Sequence, residues 1–181
     1  NAVADSSVIR RVIHPPYQPS HALFYCILGC HPVWRRRVFD KLGLFDTSYQ
    51  VLGDYEFYLR FVRAGLQPVR VPFVLSFFHH GQQTLTESNP NTQSEARRLL
   101  SSYRREMPIE KLYQLDVRDN KQKANAWVSL GNVAALCPVP WIDEPVSDLG
   151  FALTCYQNAL ELDPDNQMAL RNQIAVLAVE R

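Results

Sequence analysis

Two short polar clusters, Asp54/Glu56 and His79/His80, stand among turns and apolar runs between Gly29 and Gly81. Carboxylates and imidazoles on loops beside rigid elements are where proton transfer and cation binding are usually found. Asp54 opens a helical pattern, so taken alone it complements a helix dipole, a contribution of about 0.3–1 kcal/mol. Glu56 lies four residues before Arg60, the favourable order for a helical ion pair, and reads as structural. An imidazole such as His79 or His80 needs carboxylate or phosphate partners before it holds Mn²⁺ or Mg²⁺. Trp34 and Arg35 follow His31-Pro32 beside a turn. An aromatic face and a guanidinium can hold a flat or anionic group, while the plainer reading of Trp34 is a ring half-buried at a helix start. Arg35-Arg36-Arg37 reads as a solvated helix face or, less simply, as a contact for an anionic ligand or a lipid phosphate. Cys26, Cys30, Cys137 and Cys155 form no Cys-x-x-Cys pair and read as buried free thiols in a reducing compartment. A Cys26/Cys30/His31 metal cluster would lack a fourth ligand.

Four pieces occur in order: Pro32-Val33-Trp34-Arg35-Arg36, Gly43-Leu44-Phe45-Asp46, Gly53-Asp54-Tyr55-Glu56-Phe57-Tyr58-Leu59-Arg60, and His79-His80. Together they resemble the acceptor-binding half of a family 2 glycosyltransferase with the GT-A fold, most of all the bacterial branch that is fused to helical repeats. The resemblance implies inverting sugar transfer from a nucleotide-sugar donor to a glycan or other hydroxyl acceptor. It implies Asp54 as catalytic base, with Glu56 as the alternative, and His31, Trp34 and Arg35 as acceptor-binding residues. It implies His80 or His79 as a metal or diphosphate contact, with Mn²⁺ or Mg²⁺ as cofactor. No Asp-x-Asp precedes residue 54, and Asp163-Pro164-Asp165 lies in a turn. The expected protein is therefore the C-terminal part of a transferase, inactive alone, its metal-holding carboxylates absent from this chain.

The elements that must position these residues follow from periodicity. His21 to Leu28 is an apolar run that reads as a buried strand or another apolar element. Val33–Leu42 and Asp54–Ala64 read as helices closed by Gly43 and Gly65, the second with a core stripe of Tyr55, Tyr58, Leu59, Val62 and Leu66. Asp46 is expected to bond local backbone donors. Val69–Phe78 reads as a strand weakened by Pro72, and Ser94–Glu106 as a basic amphipathic helix. Beyond Pro108 the pattern is helical only, over Ala124–Leu136, Leu149–Leu162 and Gln167–Val179. There Trp127-x-x-Leu130-Gly131, followed by Ala152, Tyr156, Ala159 and Pro164, resembles one tetratricopeptide repeat with an overlong proline-rich connection. The expected fold class is α/β, a partial GT-A-like mixed sheet with helices in residues 1–106, plus an all-α tetratricopeptide-like region in residues 107–181.

Composition bounds the rest. The chain has 181 residues, 46% apolar, and a net charge of +1, which suits a folded protein and gives no general case for binding nucleic acid. No run of eighteen apolar residues occurs, so no transmembrane segment is expected. Asn1 to Ser7 lack a basic-then-apolar pattern and an initiator Met, as expected of a chain that begins part-way into a longer protein. The expected location is cytoplasmic, or peripheral at the inner face of the membrane. The second functional expectation is a non-catalytic interaction module: a degenerate transferase remnant carrying peptide-binding helical repeats.

Overall fold

The computed structural model describes residues 16–26, 28, 32–71, 73, 88–136 and 148–179. Every regular element among them is helical. A 3₁₀ turn, Pro19–Leu23, is followed by α1 (Arg36–Leu42), α2 (Gly53–Arg63), α3 (Thr92–Glu106), α4 (Ile109–Tyr113), α5 (Asn120–Leu136), α6 (Leu149–Leu162) and α7 (Gln167–Val179). No strand occurs among the described residues. The expected α/β class and its GT-A-like mixed sheet are therefore overturned.

The run left open between a strand and another apolar element, and the one expected strand, show why. In the run from His21, Pro19 sits in the first turn of the 3₁₀ segment and presets its φ. Ala22 and Leu23 then point into the core. Their carbonyls accept side-chain bonds instead of joining a ladder: Tyr55 Oη donates to Ala22 O at 2.7 Å and Arg104 Nε to Leu23 O at 3.1 Å. In the second run, Val69, Val71 and Phe73 are exposed and carry no regular structure; Pro72 and residues 74–78 lie outside the described residues.

α2 is the central helix of the N-terminal part. Seven of its residues, Tyr55 through Leu59 with Phe61 and Val62, are buried, so both of its faces must be covered. One face sends Tyr55, Leu59 and Val62 into a core with Leu99, Tyr103, Met107 and Leu112. The other meets an aromatic cluster in which Trp34 stands 5.1 Å from Phe57 and 5.3 Å from Phe61, both edge-on. Phe39 of α1 and Phe45 of the following turn complete it, 5.2 and 5.0 Å from Phe57. α1 is shorter than expected, because Arg35 is extended (ψ 137°) and the helix begins only at Arg36. Gly43 ends it at φ +81°, a region closed to most side chains. Asp46 accepts a bond from Ser48 N at 2.9 Å, which lowers its pKa.

α5, α6 and α7 pack in sequence. Asp148 N donates to Ala134 O, Gly131 meets Tyr156 and Cys155, and Asn166 Nδ2 donates to Asn125 Oδ1. Those pairings run antiparallel between α5 and the chain from Asp148 to Asn166. Asn172 Nδ2 donates to Asn132 Oδ1, which sets α7 alongside α5. A Cβ on Gly131 would lie 2.6 Å from the Tyr156 ring, so only glycine lets the two helices come this close. α4, which periodicity does not predict, carries Ile109 and Leu112 into the same core as Leu99, Ala126, Leu130 and Cys155.

Candidate functional site

Asp54 is exposed in the first turn of α2, and its Oδ1 accepts from Tyr55 N at 2.7 Å. Glu56, two residues on, faces the opposite kind of surroundings. It is buried, with its carboxylate oxygens each 2.9 Å from Arg60 Nε, and Tyr103 Oη donates to it at 2.8 Å. Arg60 in turn donates to the carbonyls of Leu42 and Leu44 at 2.6 and 2.8 Å and lies 4.9 Å above Phe57. The ion pair expected from the spacing forms, and it ties the end of α1 to α2 and α3. Burial and the Glu56 carboxylate push the Tyr103 phenol well above its usual pKa.

The structure does not gather the other expected site residues around Asp54. The Trp34 ring is engaged by Phe39, Phe57, Tyr58 and Phe61, while Arg35 is exposed at the N-cap of α1. His31, His79 and His80 lie outside the described residues, as do Cys30 and Cys137. Cys155 is a buried thiol outside any disulfide, and burial pushes its pKa up to about 12. Among the described residues no three His, Cys, Asp or Glu side chains come together to hold a metal ion. They offer no fitting site for the Mn²⁺ or Mg²⁺ that the resemblance implied.

A different feature collects side chains from four helices. A groove of about 810 Å³ runs between the end of α3, the start of α4, and the paired α5 and α6. Met107 and Ile109 are buried beneath it, and Trp127, Phe151 and Leu162, all half-buried, line its walls. Phe151, Thr154, Asn158 and Leu162 lie at helical spacing along α6, a stripe about 16 Å long at 1.5 Å per residue. Arg104 anchors one end. Its guanidinium pairs with Asp148, donates to Leu23 O, and stacks 4.5 Å above Phe151 and 5.2 Å above Phe24. Asp148 also caps α6, accepting from Phe151 N at 2.9 Å. Asp54 does not line this groove.

The groove does not show along the chain, because Pro108 marks a change of character there and the two walls come from opposite sides of that proline. The basic face expected of α3 was the signal that pointed toward it.

No family model, curated protein or solved structure matches this chain. With no strand among the described residues and no relative to carry it, the family 2 glycosyltransferase resemblance is overturned. The residues behind it have other employment here. Trp34, Phe45, Phe57, Glu56 and Arg60 build one aromatic and ionic contact that packs α1 on α2. Among the described residues no helix is long and apolar enough to cross a membrane.

Proposed function

We propose that this chain is a protein-interaction module that receives a segment of a partner protein in the groove between α3, α4, α5 and α6. The observation that carries the reading is the groove itself: an apolar floor with a polar rim, three helical turns long, on a scaffold of packed helices. Its dimensions and lining suit an amphipathic segment laid against a helical surface, with bulky side chains entering between Trp127 and Phe151. The scaffold is pre-organised, since Arg104, Asp148 and the α6 cap hold the groove wall through charge-assisted bonds.

The test is selection of a displayed random-peptide library on the folded chain, with counter-selection on the variant Asn158→Arg, which fills the groove from a half-buried wall position. Enriched peptides that lose binding to Asn158→Arg are the expected result. A library that enriches nothing, or peptides indifferent to that substitution, overturns the reading.

A further inference from the structure

We infer that the partner segment is acidic at its flanks and apolar at its centre, an inference that rests on the interaction reading above. The charges around the groove decide this. Arg104 is engaged by Asp148, and Glu106 by Arg63 at 3.4 Å. That leaves Arg105 and Lys123 as cations with no carboxylate partner among the described residues. Arg105 is exposed and uses only Nε internally, donating to Ser101 O at 3.0 Å. Arg98, two turns earlier on α3, does not line the groove: its guanidinium donates to Ser48 O at 3.1 Å and lies 4.1 Å above the Tyr49 ring. Against Arg105 and Lys123 stands the single carboxylate of Glu110, half-buried in the first turn of α4.

Covering the groove takes Lys123, already half-buried, further from water. A wholly apolar occupant would leave that ammonium without a counter-charge, and a basic one would add repulsion. Carboxylates on the occupant satisfy Lys123 and Arg105 together. The antiparallel pairing of α5 with α6 sets Lys123 toward the Leu162 end, while Arg105 follows Arg104, which with Asp148 marks the Phe151 end. The acidic residues therefore belong outside a central apolar stripe.

The experiment uses fluorescein-labelled peptides about three to four helical turns long. Each has leucine and phenylalanine at helical spacing in the centre and glutamate, glutamine or lysine at both flanks. Anisotropy is measured on the wild type and on Arg105→Glu and Lys123→Glu, with circular dichroism confirming that each variant folds; Arg105→Glu, at an exposed position, suffices if the other does not. The expected order is glutamate tightest, glutamine weaker by about tenfold or more, and lysine weakest, with higher salt narrowing the gap. Charge reversal should move the preference toward the lysine-flanked peptide. Equal affinities, an order that survives charge reversal, or no binding of the glutamate-flanked peptide overturns the inference. So does a dimer in sedimentation that Asn158→Arg abolishes, because a second copy would then cover the groove. Groove-dependent peptides from the display selection with neutral or basic flanks would sink the acidic assignment and leave the interaction reading standing. No groove-dependent peptide at all would sink both.

Discussion

Glu56, Glu95 and Gly131 each show one residue constrained by its surroundings. Removing the Glu56 carboxylate leaves Arg60, whose side chain is only 16% exposed, without its counter-ion. The Leu42 and Leu44 carbonyls still hold Arg60, so Glu56→Gln should cost about 3 kcal/mol, the low end for breaking a buried pair. Urea unfolding gives the number, and a loss under about 1 kcal/mol would mean the pair is solvated. Glu95 accepts three backbone bonds, from Gln50, Val51 and Leu52, at 2.7, 3.0 and 3.1 Å. Burial works to raise its pKa, but these bonds outweigh it and hold the carboxyl below its ordinary value. A depressed folded pKa stabilises above the unfolded value of about 4.3 and loses that contribution as the pH falls through the lower folded value. Glu95→Gln should therefore flatten the acid limb of stability against pH, and an unchanged limb would assign it to other carboxylates. Gly131→Ala gains about 1 kcal/mol of helix propensity, yet its Cβ meets the fully buried Tyr156 ring at 2.6 Å. The expected net result is a loss on the order of 1–2 kcal/mol in a thermal or urea melt.

At the scale of elements, α3 joins the two ends of the chain. Its Glu95 holds the turn before α2, its Tyr103 reaches Glu56, and its Arg104 grips both the 3₁₀ turn and the start of α6. One amphipathic helix thus supplies the polar ties between elements far apart in sequence. Arg104→Ala removes a bond to a buried carbonyl, an ion pair and two ring contacts, and should destabilise by about 2–3 kcal/mol. Arg104→Lys should recover less than half, since an ammonium cannot stack flat and fork at once. Full recovery by lysine would reduce the role of Arg104 to its charge.

At the scale of the whole molecule, one apolar core crosses the position of Pro108. Leu59 and Leu99 from one side share it with Ile109, Leu112, Ala126, Leu130 and Cys155 from the other. Elements that bury each other's surface lose their packing together, so unfolding should be a single transition. Trp34 and Trp127 report on the two sides. With Trp141 replaced by phenylalanine, Trp34→Phe and Trp127→Phe variants leave one reporter each, and their urea midpoints should coincide after correction for the substitutions. Two separated midpoints would show two independently folding units. The groove depends on the same shared core, because α3 and α4 supply one wall and α5 and α6 the other.

The helices were legible in the sequence because their information is local. Leu149–Leu162 and Gln167–Val179 have the bounds their spacing predicts, and Gly43 and Gly65 stand at positive φ where helices end. The Glu56–Arg60 pair was likewise written at short range. What the apolar run from His21 becomes was not local. Its valine-poor, aromatic pattern suits a strand or a buried turn equally, and Tyr55 and Arg104, far away in the chain, decide by taking its carbonyls. The groove was illegible for the same reason. Met107, Trp127 and Phe151 share no periodicity, and only packing α3 and α4 against α5 and α6 brings their side chains to one surface.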